Sequence, residues 1–206
     1  MKNILICFGT RPEYIKVKSL IDNIKDVKTC FTGQHNDLLM GITYDYKLDF
    51  ITRTDNKLNN ILINNLLNYK IFNNIDYVLV QGDTSSALGM AINAFHNNVK
   101  VIHLEAGLRT NDITSPYPEE FNRQLISKMG SYHFVPTKNS KQNLLNEKVK
   151  LDNIIVTGNT VIDSLFWILN KIKKNRNYRN KICSEINKQI CFSWKTDKFV
   201  LITGHR

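Results

Sequence analysis

The 206-residue sequence predicts a doubly wound α/β fold built on a parallel sheet, and three observations carry that expectation. The strand-like runs are short and almost continuously apolar, as expected of strands covered on both faces. They take turns along the chain with longer stretches of helical period, so repeated βα units with right-handed crossovers follow. Hydrophobic residues make up 42% and charged residues 22%, which is enough apolar material for a real core.

"NILICF" (3–8) opens as a strand. "PEYIKVKSLIDNIK" (12–25) reads as an amphipathic helix with Ile15, Leu20, Ile21 and Ile24 inward. "VKTCFT" (27–32) is the next strand. "IDYVLVQ" (75–81) is a strand leading into the helix "TSSALGMAINAFHN" (84–97), and "VKVIHL" (99–104) is another. "YHFVP" (132–136) and "NIIVT" (153–157) are strands, each followed by a helix. The last of these helices, "NTVIDSLFWILNKIKKN" (159–175), carries a capping-box pattern at Thr160 and Asp163. Its apolar face is Val161, Ile162, Leu165, Phe166, Leu169 and Ile172. The many Asn residues in helical stretches are neutral to unfavourable there and read as compositional bias.

Composition then turns polar and basic, and "FVLITGHR" (199–206) reads as a fresh strand and loop. The expected division is a first domain over 1–170, a basic linker or helix over 171–197, and the start of a second domain over 198–206. The net charge is +10, which suits an anionic partner. The dense basic run "NKIKKNRNYRNK" (170–181) reads as a solvated helix face or linker, because no nucleic-acid-binding motif accompanies it. Cys7, Cys30, Cys183 and Cys191 form no CxxC pair, and the first two lie in apolar runs as small core residues. With no signal-peptide pattern and no apolar run of about 18 residues, the chain reads as cytoplasmic and reduced, without a membrane or metal partner.

Open α/β sheets bind ligands beyond the carboxyl ends of their strands, so the residues after each strand are the candidates. "GTRPE" (9–13) pairs a turn glycine with capping-box spacing at Thr10 and Glu13, and Arg11 beside a helix N-terminus suits an anion. It is equally an ordinary capped helix. Neither GxGxxG nor a P-loop occurs. "GDTSS" (82–86) places Asp83 at a strand end, where Asp83 or Thr84 also reads as a cap. In "EAGLRT" (105–110), Glu105 directly follows a buried strand, as an acid for catalysis, a turn carboxylate, or a partner for Arg109. In "PYPEEFNRQ" (116–124), Glu119 and Glu120 open a helix. Glu120 is either a helix-dipole residue or a partner of Arg123. Asp83, Glu105 and Glu119 are thus expected at one sheet edge facing Arg11, where proximity shifts pKa values as proton transfer requires.

Taken together, "GTRPEYIK" (9–16), "TGQH" (32–35), "QGDTSSALG" (81–89), "HLEAGLRTNDITSPYPEEFNRQL" (103–125), "HFVPT" (133–137), "VTGNTVIDSL" (156–165) and "ITGHR" (202–206) resemble the non-hydrolysing UDP-N-acetylglucosamine 2-epimerases. The segments run in family order over nearly the whole chain, and "EAGLRT" with "PEEFNR" follows the non-hydrolysing pattern. The resemblance implies a Rossmann-like N-terminal lobe of the GT-B type, with the second lobe largely absent. It implies inversion at C2 of UDP-GlcNAc to give UDP-ManNAc, by loss and re-addition of UDP, without NAD, metal or other cofactor. On the same basis Asp83, Glu105, Glu119 and His205 match catalytic positions. Arg11, Lys16, Gln34, His35, Arg123 and His205 match substrate-binding ones. The implied partners are UDP-GlcNAc, UDP, and either a second copy or a complementing C-terminal lobe. The alternative is a non-catalytic or split-enzyme half.

Overall fold

The computed structural model describes residues 2–35 and 42–203. Seven strands form one parallel sheet: β1 (Ile4–Phe8), β2 (Val27–Phe31), β3 (Tyr46–Lys47), β4 (Tyr77–Gln81), β5 (Lys100–Leu104), β6 (Gly130–Val135) and β7 (Ile154–Val156). Their order is β3-β2-β1-β4-β5-β6-β7. The order reverses between β1 and β4, which makes the loops after those two strands the walls of a crevice. Helices α1 (Arg11–Asn23), α2 (Lys57–Leu67), α3 (Ser85–His96), α4 (Glu119–Met129), α5 (Lys138–Asn146), α6 (Thr160–Lys174) and α7 (Arg176–Gln189) complete the chain. It divides into two compact units, Met1–Ser164 and Leu165–Arg206.

The continuous apolar runs have a direct cause. Successive strand residues point to opposite faces, and both faces are covered. Leu5, Cys7, Val78 and Val80 pack with Met90, Ala91 and Ala94 of α3. Their neighbours Ile6, Phe8 and Leu79 pack with Val17 of α1, Phe31, Ile102 and Leu104.

Helix α1 starts as expected, with a capping box between Thr10 and Glu13 and a proline in its first turn. Its inward face differs from the expectation. Val17 is fully buried and Leu20 and Ile21 pack on the core, whereas Ile15 and Ile24 are exposed. Ile24 is the extended C-cap and has left the helix, and Ile15 lies two positions from Val17, near the opposite side.

The asparagines of α2 are structural rather than incidental. Buried Asn64 holds the backbone N–H and C=O of Ile51, and buried Asn60 does the same for Arg53 and Thr54. Together they tie an irregular segment to the helix, which apolar side chains of that size could not do.

Helix α6 is preceded by Asn159, whose Oδ1 accepts from the Val161 N–H, so the side-chain cap lies one residue before the expected Thr160. Val161, Ile162, Leu165, Phe166 and Leu169 of its apolar face are exposed. Within the second unit, Asn175 caps α7 and the Lys171 ammonium lies over the rings of Trp167 and Tyr178. Residues 198–203 form no strand, and Phe199, Val200, Leu201 and Ile202 are exposed. A strand needs a sheet to pair with, and this run is not among the strands of the sheet.

Gly9 shows how tightly the crevice is packed. A Cβ there would fall 2.3 Å from Thr32 Oγ1 and 2.4 Å from Ser86 Oγ, two hydroxyls already bonded to each other at 2.9 Å. Gly9→Ala must break that pair apart, and overpacking of this kind costs about 1–3 kcal/mol. A urea midpoint unchanged from the parent would show that the crevice yields freely.

Candidate active site

Glu105 follows β5 directly with φ +63°, a left-handed conformation rare for a residue with a side chain. Strain of that kind persists where neighbours hold it. Here they do so through both carboxylate oxygens. Lys16 reaches Oε2 at 2.5 Å, the Gln81 amide donates to the same oxygen, and Asn159 Nδ2 donates to Oε1 at 3.0 Å. The donors come from α1, the end of β4 and the loop after β7. Arg109 is not the partner of Glu105. It is buried against Glu147, with Nε to Oε1 at 2.5 Å and Nη2 to Oε2 at 3.0 Å.

Asp83 follows β4 and Gly82. Its Oδ2 lies 2.6 Å from Arg123 Nη2, and its main-chain carbonyl accepts from Asn122 Nδ2 at 2.8 Å. Burial raises the Asp83 carboxyl above the ordinary aspartate value. The Arg123 charge opposes this, while the charges of Glu105 and Glu119 add to it. Desolvation therefore outweighs the ion pair.

The two glutamates that open α4 separate cleanly. Glu120 is fully buried, accepting from the N–H groups of Thr110 and Asn111 and from Gln124. Its Oε2 also lies 3.4 Å from Arg123 Nη1. Burial would raise Glu120, but these hydrogen bonds and the Arg123 charge hold it below its ordinary value. Glu120 is thus the support of Arg123. Glu119 is half-buried, makes no ion pair among the described residues, and faces Asp83 closely enough to raise its carboxyl. Arg123 keeps one buried donor, Nε, with no hydrogen-bond partner among the described residues.

The expected site residues fall into two groups. Asp83, Glu105, Glu119, Lys16 and Arg123 form one cluster at the carboxyl edge of the sheet. Arg11 is exposed at the first position of α1 and enters none of these ion pairs. Gln34 Oε1 accepts from Ser86 Oγ at 2.7 Å, and the His35 N–H donates to the Gly9 carbonyl at 2.9 Å, so both are bound to the crevice wall. His205 lies outside the described residues. Gln81, Asn122 and Asn159 are members that sequence reasoning missed. Each acts through a single amide, and no spacing rule marks it.

His103 lies beneath the cluster, fully buried, with Nε2 2.8 Å from the Gly82 carbonyl. Burial pushes its pKa down to about 3. An unfolded chain binds that proton near pH 6.5, so the stability present above pH 6.5 is lost as pH falls toward 3, by about 1.4 kcal/mol per pH unit. His103→Gln should flatten the stability profile between pH 6.5 and 4.5. An equal slope in both proteins would remove His103 from the account.

A parallel sheet with this strand order, carrying acids and cations at its switch point, is a Rossmann-like lobe of the GT-B class. The chain belongs to the UDP-N-acetylglucosamine 2-epimerase family, whose model matches residues 20–206. A curated UDP-N-acetylglucosamine 2-epimerase from Campylobacter jejuni is 41% identical over all of this chain, which spans 57% of that relative's length. The crystal structure of the Neisseria meningitidis UDP-GlcNAc 2-epimerase bound to UDP-GlcNAc is 39% identical. It superposes with TM-score 0.77 over 83% of this chain and 50% of that one. The Methanocaldococcus jannaschii enzyme in complex with UDP-GlcNAc and UDP is 34% identical, with TM-score 0.76 over 89% of this chain and 54% of that one.

Proposed function

We propose that this chain carries the acid–base lobe of a non-hydrolysing UDP-GlcNAc 2-epimerase, converting UDP-GlcNAc to UDP-ManNAc. The observation that carries the reading is the unequal pair of carboxylates in one cluster. Asp83 is pushed upward by burial, while Glu105 is held by three donors. Proton removal and return at one carbon need groups whose environments differ in this way.

In the proposed reaction a carboxylate takes the C2 proton as the C1–O bond to UDP breaks. The C–H electron pair becomes the C1=C2 double bond of a glycal. Return of a proton to the other face of C2, with re-addition of the UDP oxygen at C1, completes the inversion. Asp83, Glu105 and Glu119, which share one field, move the proton. Lys16 holds the sugar in register. Arg11 and Arg123 meet the diphosphate. Gln34, His35 and His205 complete the binding set. UDP-GlcNAc and UDP are the ligands bound in the related Neisseria meningitidis and Methanocaldococcus jannaschii structures.

The chain spans about half the length of these relatives. On this reading a second lobe, joined or supplied as a separate polypeptide, adds the remaining UDP contacts, and the assembly is a homodimer or a complemented pair. The proposed setting is cytoplasmic sugar supply for polysaccharide synthesis. No helix among the described residues is long and apolar enough to cross a membrane.

The test is proton NMR with UDP-GlcNAc in D2O. Deuterium entering C2, with UDP-ManNAc signals, is the expected result, either alone or with a second-lobe polypeptide added. A folded chain that exchanges nothing in both preparations would overturn the assignment and leave a non-catalytic half.

A further inference from the structure

Glu13 is a buried acid that takes no part in the reaction just described. Its side chain lies behind the cluster, and the residue is 2% exposed. A capping-box glutamate needs one bond back to the N-cap N–H. Glu13 makes that bond, from Thr10 N at 2.7 Å, and two more. Its Oε2 also accepts from Gly9 N at 2.9 Å, and its Oε1 accepts from Thr84 Oγ1 at 2.6 Å. Gly9 and Thr10 follow β1, and Thr84 follows β4, so this carboxylate bridges the two walls of the switch-point crevice. Thr84 is the residue after Asp83 and the N-cap of α3, its hydroxyl oxygen accepting from Ala87 N at 3.0 Å. The hydroxyl is therefore used twice, once as donor to Glu13 and once as acceptor for the helix. Its orientation is set from both sides.

We propose that Glu13 is a positioning residue that fixes where the Asp83 carboxyl stands, by tying Thr84 across the crevice to the turn after β1. The inference rests on the reading of Asp83 as a working carboxylate. An ordinary capping role would act on α1 alone. The bridge acts on the next strand's loop, 71 residues away in sequence. Without it the 83–84 turn loses its only side-chain tie to the β1 side among the described residues, and Asp83 moves toward water. The charged groups that face Asp83 are Arg123, Glu105, Glu119 and Lys16, and none of them is altered by the substitutions below.

The experiment follows the side-chain carboxyl carbon of Asp83 by NMR against pH in the full chain, with Asp83→Asn used to assign the signal. The variants are Glu13→Gln, Thr84→Ala, Thr84→Ser and the Glu13→Gln, Thr84→Ala double. Gln matches Glu13 in shape, but its single oxygen is needed by the Gly9 and Thr10 N–H groups, so its NH2 faces Thr84 and the Thr84 proton loses its acceptor. Burial is the largest cause of the raised Asp83 carboxyl. Glu13→Gln and Thr84→Ala should therefore lower its midpoint by about half a pH unit or more. Thr84→Ser should keep the parent value, and the double variant should shift no further than either single. An unmoved midpoint in folded Thr84→Ala would overturn the proposal, and so would additive shifts in the double. No substrate enters this measurement, so a failure of C2 exchange in the parent chain would count against the proposed reaction and leave this readout intact.

Discussion

On the proposed reading, Asp83→Asn should lower C2 deuterium exchange by about 10²–10⁴-fold, the range that a positioned acid–base group contributes. The substitution keeps the size of the side chain and one oxygen for Arg123, which lies 2.6 Å from Asp83 Oδ2. It removes the ability to hold and release a proton together with the negative charge beside Arg123, which keeps Glu120 as its other carboxylate. The loss should therefore fall on kcat, with KM changing little, because the group acts in the transition state rather than in binding. Glu105→Gln should cost a similar factor for a different reason. Lys16, Gln81 and Asn159 all donate to the Glu105 carboxylate, and an amide group in its place turns two donors against one of them. Exchange is measured in whichever preparation shows it, the chain alone or the chain with its second lobe. Asp83→Asn exchanging within threefold of the parent would take Asp83 out of the acid–base set.

Glu147→Ala destabilises the fold by about 3–5 kcal/mol, the cost of leaving a buried charge without its partner. The Arg109 side chain is 2% exposed, and its two bonds to Glu147 are the charge-neutralising ones. Its other partners are the Leu108 carbonyl and the Ser127 hydroxyl, which carry no charge. Lys2→Ala supplies the contrast. Its pair with Asp76 is long and exposed, so the change should be close to zero. Urea unfolding of both variants compares them directly, and a Glu147→Ala loss below about 1 kcal/mol would mean that water reaches Arg109 after all.

Much of the site was legible because strand ends are legible. Asp83 and Glu105 each stand at the end of an apolar run, and a polar residue there faces the ligand edge of a parallel sheet. Lys16 and Arg123 came from the family resemblance, and the structure gives each an acidic partner. The sequence placed Glu119 in the expected cluster and left Glu120 as a helix-dipole residue or a partner of Arg123. Glu120 is buried against the N–H groups of Thr110 and Asn111 and lies 3.4 Å from Arg123, so it takes the second of these places. Arg109 could be paired only by guess with Glu105, four residues away. Its actual partner, Glu147, stands 38 residues on, at the C-cap of α5.

The linear sequence alone was sufficient for the layered architecture and for the edge of the sheet on which chemistry belongs. Burial on two faces leaves a pattern readable within any six consecutive residues. It could not tell which acid is clamped, which is raised, or which amides do the holding. Those outcomes depend on the strand order that places the loop after β1 beside the loop after β4, and on α1 bringing Lys16 to a carboxylate 89 residues away. Hydrogen bonds and ion pairs act over about 3 Å, so only the folded chain chooses among partners that the sequence keeps far apart.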